Sequence, residues 1–354
     1  LGLGGLSCAP KAGCYVQDGI VRGRRDSMIK RIDNLILASA VLLALAVILD
    51  GNRIVWSQTA SWGRVKQAAT TSATTDTASF TGAVKLKVIQ QINADRAAHG
   101  LKPVEPHPLA ARAGDAHCRE MLDNGYLSHW NLAGFKPYHR FSMIGGADYV
   151  SENASTLDCR PAGMWNADEK TVTEAALNAH ANMMAEKPPM DGHRKCILDP
   201  PHTHVGIGLA FDGRGLRMTQ EFINQYVELT APVARSAKPG DTLAVRGKTL
   251  APGNKVSSIS VFYEPLPKPM SVAELRKTYS CSLPDDRWQE FPVLKEGWHY
   301  SDGSTGTIVL APNGSFECPL RFKGGRPGLY TVCVWVETGK DNSIPATSLT
   351  IRVE

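Results

Sequence analysis

The chain has 354 residues, 43% of them hydrophobic and 21% charged, with 39 Lys/Arg against 34 Asp/Glu. This composition excludes wholesale disorder, and the length suits two domains of roughly 100–200 residues. Residues 1–60 hold seven Lys/Arg against four Asp/Glu, so the remainder is close to neutral and nucleic acid is excluded as the main partner.

Residues 1–27 precede Met28 and read as a non-native upstream extension. The stretch MIKRIDNLILASAVLLALAVILD then places two cations before an apolar run from Leu35 to Leu49, the n-region and h-region of a secretory signal. As a helix that run reaches about 22 Å, short of a ~30 Å bilayer core, so residues 28–60 are either a signal peptide or an N-terminal membrane anchor. Residues 61–82 are rich in Thr, Ser and Ala and read as a flexible linker.

Helical periodicity starts near residue 83 with Val84, Val88 and Ile92, and His99-Gly100 supplies a stop. A second helix is predicted over Pro108–Asn124, between a proline at its start and Gly125 after its end. A third covers about Thr171–Glu186, with Thr171 or Thr173 as N-cap and Pro188-Pro189 as terminator. VGIGLAF (205–211) and MTQEFINQYVEL (218–229) read as strands, giving an α+β first domain over residues 83–229. In the first of these, alternation sets His204 and Gly206 on one side and Val205 and Ile207 on the other. From residue 230 to 354, TLAVRG, SSISVFYE, GTIVLA, SFECPLRF, GLYTVCVWVE and SLTIRVE alternate with turn clusters, the pattern of a β-sandwich. Both faces of GLYTVCVWVE are largely apolar, as in a central strand.

Six cysteines lie downstream of the apolar run: Cys118, Cys159, Cys196, Cys281, Cys318 and Cys333. An even count in an oxidising compartment favours disulfides, with Cys159 or Cys118 as partner for Cys196. His202 and His204 flank a proline-rich turn and read as turn and edge residues. Ser128-His129 does not make a serine hydrolase, since adjacent residues rarely form a nucleophile and base and no GxSxG elbow is present.

Four local signals remain: INADRAAHGLKPV (92–104), GYLSHW (125–130), YVSENAS (149–155) and DGHRKCIL (191–198). Their order and spacing resemble the CAP superfamily, the cysteine-rich secretory, antigen 5 and pathogenesis-related proteins, and in particular its bacterial SCP-like branch. Asn93, Arg96, Gly100 and Leu101 match the first-helix pattern, and Ser128-His129 resembles the SH signal. Ser151-Glu152-Asn153 is similar to GEN, with serine in place of glycine at a position taken as a turn. Gly192-His193-Arg194 matches GHR, followed by VGIG and TQEF.

The resemblance implies an α-β-α sandwich whose cleft gathers two histidines and two acids: His129, Glu152, His193 and Glu186, with Glu174 competing for the last place. An immunoglobulin-like β-sandwich would follow it. Two imidazoles facing two carboxylates suit a labile divalent cation such as zinc, held by His129 and His193, or a general acid and base. No HExxH spacing is present and no cofactor is required. The expected function is an extracellular or cell-envelope binding module without catalytic turnover. Its cleft takes a small apolar ligand, a lipid or a divalent ion, its β-domain takes an envelope or protein partner, and membrane contact is confined to the N-terminal segment. The alternative is a metal-assisted, protease-like hydrolase in which the two histidines hold the metal and Glu152 or Glu186 is the base.

Overall fold

The computed structural model describes residues 2–8, 80–159, 165–322, 325–339 and 342–354. The signal or anchor at 28–60 and the linker up to residue 79 lie outside the described residues. Among the described residues no helix is long and apolar enough to cross a membrane.

The elements in chain order are β1 (Gly2–Cys8), α1 (Phe80–Ala98), β2 (Glu105–Pro106), α2 (Pro108–Asn124), α3 (Pro137–Met143), β3 (Tyr149–Asp158), α4 (Glu169–Met184), α5 (Gly192–Ile197), β4 (His204–Asp212) and β5 (Gly215–Asn224). They continue with β6 (Val227–Leu229), β7 (Ser236–Ala237), β8 (Thr242–Thr249), β9 (Lys255–Glu264), α6 (Val272–Leu275), β10 (Arg287–Glu290), β11 (Val309–Leu310), β12 (Ser315–Arg321), β13 (Gly328–Gly339), β14 (Asn342–Pro345) and β15 (Leu349–Val353). The chain is therefore α+β, as the sequence implies.

Five strands of the first half form one sheet in the order β1-β3-β5-β4-β2. Helices cover both faces. On one side α1 and α4 bury Val84, Val88, Ile92, Val172 and Ala176 against Val205, Ile207, Met218 and Phe222. On the other, α2 crosses β4 so closely that a Cβ at Gly206 would strike the Ala111 amide and one at Gly208 would strike Gly114. The two glycines of VGIG thus make room for a helix while the intervening Val205 and Ile207 fill the opposite core, as the period-2 reading requires. Tyr138 and Phe141 of α3 complete that second layer with Val150 and Ile223.

Local chemistry sets the helix ends. Helix α2 begins at Pro108 and stops at Gly125, whose φ of 65° suits a residue without a Cβ. The cap of α4 is Asp168, which accepts the Thr171 N–H at 2.8 Å; it displaces the predicted Thr171 or Thr173, so α4 starts a turn earlier. Helix α1 starts at Phe80, inside the predicted linker, because Phe80 packs on Phe211 at 5.2 Å between ring centroids. Residues 218–229 are two strands, β5 and β6, which belong to different sheets.

The second half forms two sheets, β10-β9-β13-β15-β7 with β14 on β13, and β11-β12-β8-β6. They share one core of Val245, Val261, Phe316, Leu320, Tyr330, Val332, Val334 and Ile351, which makes a sandwich. The other face of β13 carries Cys333, which packs with Tyr149 of β3 and Phe262. Hence the apolar second face of this central strand is covered by the first half of the chain. Main-chain bonds from Tyr149 to Ala346 (3.1 Å) and from Ser348 to Ala147 (3.1 Å) fasten the halves together. Glu264 on β9 reaches across to Lys136, Tyr138 and His139 at the start of α3.

The expected bridge from Cys196 to Cys159 or Cys118 is not formed, whereas Cys281 is disulfide-bonded. Cys118, Cys159, Cys196, Cys318 and Cys333 are free, buried thiols. Cys118 faces Thr219 and Cys196 faces Ser151, so the two sit on opposite faces of the sheet and serve as core residues.

Candidate functional site

Strand parity decides what the predicted tetrad can be. The SEN segment is not a turn but the middle of β3, paired residue by residue with β5: Glu152 lies opposite Glu221, and Asn153 opposite Gln220. Adjacent strand residues point to opposite faces. Glu152 therefore enters the α2–α3 layer, while Ser151 and Asn153 enter the α4–α5 layer.

In the α2–α3 layer His129 Nδ1 donates to Glu152 Oε1 at 2.8 Å, and Arg140 Nη2 donates to Glu152 Oε2 at 2.6 Å. His129 and Glu152 are both fully buried. Burial opposes ionisation of Glu152, yet the Arg140 guanidinium and the His129 hydrogen bond outweigh it and hold the carboxyl well below its usual range. Because Nδ1 faces a carboxylate it carries the proton, which leaves His129 Nε2 facing the interior with no hydrogen-bond partner. His117 donates from Nε2 to the Ser128 carbonyl at 2.7 Å and so fixes the loop that presents His129. Burial, then the Arg140 charge, lowers the His117 pKa to about 3, so this ring is neutral.

The sequence reading missed Glu221. Its carboxyl hydrogen-bonds that of Glu152, and burial followed by the Glu152 charge pushes its pKa well above the usual value. One of the two acids keeps its proton, and since Glu152 is already paired with Arg140 and His129, that acid is Glu221. The signal was available: TQEF in an alternating strand sets Glu221 on the face opposite Gln220.

His193 and Glu186 form a second pair elsewhere. His193 Nδ1 donates to Glu186 Oε1, and the His193 N–H donates to Glu186 Oε2 at 3.0 Å. The His193 carbonyl accepts from Asn153 at 3.2 Å, which places α5 on the α4 side of the sheet. Next to it runs a polar chain in which Gln220 accepts from Asn153 at 3.3 Å and donates to His180 at 3.1 Å, and His180 donates to Asp95 at 2.8 Å. Asn153 is a structural hydrogen-bonder here. Glu174 is exposed on α4 in a surface recess with Lys87, Glu169 and Lys170, so the acid on His193 is Glu186.

The single cleft of two histidines and two acids is accordingly corrected to two pairs, His129–Glu152 and His193–Glu186, on opposite faces of one sheet. Among the described residues no three His, Cys, Asp or Glu side chains group as a metal-ligand set. His202 is buried and stacked on Phe222 at 4.8 Å, with Nδ1 bonded to Asn224 at 2.8 Å, so it is a core residue and not part of an exposed turn. His204 opens β4 beside Glu105.

A three-layer α-β-α domain that places SH before a strand bearing Glu-Asn, and GHR before a VGIG strand, defines a CAP domain. Residues 89–222 match the CAP family, described as the cysteine-rich secretory protein family, and this part of the chain is a CAP domain. The chain is similar to the uncharacterized protein YkwD of Bacillus subtilis (strain 168), at 28% identity over 158 residues, 45% of this chain and 54% of that protein. It thus spans about half the length of that relative. Among solved structures it is similar to an extracellular protein containing a SCP domain from Bacillus anthracis str. Ames, at 23% identity and a TM-score of 0.32, over 40% of this chain and 41% of that one.

Proposed function

We propose that this chain is an extracellular binding module that performs no turnover, in which the CAP face bearing His129 receives a small ligand, a lipid or a divalent ion. The β-rich half would then carry the contact to an envelope or protein partner. The observation behind this reading is the burial of His129 and Glu152 at 0% exposure each, with His193 and Glu186 on the far side of the sheet. A hydrolase needs its metal, base and substrate within reach of one another, and these two pairs do not converge. What the His129 pair offers is a rigid polar floor whose unpaired Nε2 would meet a ligand entering the α2–α3 layer. Extracellular placement rests on the cationic and apolar run at 28–49.

The test incubates the full chain, and the same chain with His129→Ala and His193→Ala, with a peptide library and with zinc. Zinc uptake or vesicle binding without any cleavage product supports the module. Cleavage that disappears with the histidines overturns it in favour of the hydrolase.

A further inference from the structure

A segment of the β-rich half runs along the CAP loop that carries His129. After β9 the sequence runs back across the CAP domain through α6 to Leu283. Three CAP side chains grip it by main-chain oxygens two residues apart: Ser128 Oγ donates to the Thr278 carbonyl at 3.3 Å, Trp130 Nε1 to the Ser280 carbonyl at 2.7 Å, and Lys136 Nζ to the Ser282 carbonyl at 3.1 Å. Carbonyls at i, i+2 and i+4 share one side only in an extended chain. Within the gripped stretch Tyr279, Ser280 and Ser282 are exposed, while Cys281 is buried and disulfide-bonded.

Upstream, the contact is apolar. Leu275 is fully buried among Met121, Leu122, Tyr126 and, partly exposed, Leu127, Trp130 and Leu132. The Met270 N–H donates to the Leu132 carbonyl at 2.8 Å. On the CAP side the loop is shaped for a close main-chain approach: Gly134 has a φ of 80°, and a Cβ there would strike the Lys268 carbonyl.

We propose that the CAP surface from Gly125 to Lys136 is a groove for an extended polypeptide, read through alternate main-chain carbonyls with Leu275 as its fully buried anchor, and that residues 270–283 occupy it in cis. This rests on reading the His129 face as a binding face, and it names the ligand class as polypeptide. Three features follow from the geometry. Recognition is tolerant of sequence at the gripped positions 278, 280 and 282, because carbonyls are common to every residue. The donors Ser128 and Trp130 are the chain neighbours of His129, so an occupied groove holds the loop that presents His129 to Glu152. A competing segment must carry a large aliphatic residue three positions before its first gripped carbonyl.

The probe is a fluorescein-labelled peptide of residues 270–283 with Cys281→Ser, titrated by anisotropy into the full chain and its variants. In the unchanged chain the groove is filled; in Leu275→Asp, with the Cys281 disulfide reduced throughout, the anchor is expelled. At least tenfold tighter peptide binding by Leu275→Asp is expected, with at least tenfold lost again on adding Trp130→Phe and Lys136→Met. Absence of binding to a folded Leu275→Asp chain, whose exposed Lys277 has become a fast trypsin site, would overturn the groove. If Leu275→Asp does not fold, Trp130→Phe alone serves: cleavage after Lys277 should accelerate about tenfold, and an unchanged rate refutes the grip. Mass spectrometry of the bound peptide separates the two readings, because an intact peptide fits both whereas a cleaved one overturns the module while leaving the groove.

Discussion

Glu264→Gln is the most informative single change for the union of the two halves. Glu264 accepts from Tyr138 at 2.8 Å, pairs with Lys136 and lies 3.2 Å from His139, all at the start of α3. Burial alone would raise its pKa; the His139 hydrogen bond and charge, with Lys136, bring it from 4.5 down to about 2. At ~1.4 kcal/mol per pH unit this preference is on the order of 3 kcal/mol. Removing one partner of a buried pair costs a similar amount, about 3–5 kcal/mol. A folded-state pKa below the unfolded one stabilises above the unfolded value, and that stabilisation is lost as pH falls toward about 2. Thermal unfolding followed by circular dichroism at pH 7 should therefore show Glu264→Gln melting about 6–12 °C lower, at ~2–4 °C per kcal/mol. The gap should narrow steadily between pH 4.5 and 2.5. Equal melting at pH 7, or a gap that does not change with pH, would refute the reasoning.

Gly208→Ala forces a methyl into Gly114 of α2 and should lower the urea midpoint by an amount equivalent to about 1–3 kcal/mol. Arg140→Met leaves the buried Glu152 carboxylate without its cationic partner and should cost roughly 3–5 kcal/mol by the same denaturation, mostly recovered by adding Glu152→Gln. Asp148 behaves in the opposite sense to Glu264: burial lifts its pKa to about 7, so stability is full below the unfolded value and falls as pH rises through about 7. Asp148→Asn should gain stability over the unchanged chain between pH 6.5 and 8, a window above the titration of neighbouring His107, whose pKa burial lowers to about 4. Equal slopes in that window would contradict the burial argument. Removing the α4 cap with Asp168→Ala should cost about 1 kcal/mol, read from the same urea curves.

The sequence made legible whatever depends on local chemistry. Helix α2 is bounded by Pro108 and Gly125, and VGIG reveals its two faces through alternation alone. The middle of β3 was not legible as a strand because YVSENAST is polar. It is buried all the same, since helices cover both sheet faces and long-range partners such as His129, Arg140 and the His193 carbonyl satisfy its side chains. Resemblance named His129, Glu152, Glu186 and His193 without their arrangement. Glu152 and Asn153 are neighbours, so only one of them can share a face with His129, and the histidine of GHR goes with the other. Residues 270–283 fall in none of the strand-like segments, and their role depends on Trp130 and Lys136, about 150 residues earlier in the chain. The free thiols follow the same logic, because Cys118 and Cys196 are separated by the sheet and not by sequence distance.

The central claim is that His129 and His193 serve two independent pairs, so that no site needs both. Zinc titration by calorimetry on the full chain, on His129→Ala and on His193→Ala tests it directly. The account predicts that no binding event is abolished by both single substitutions, and that any change each causes adds in the double variant. A stoichiometric site lost on either substitution alone would contradict it and restore a shared metal centre.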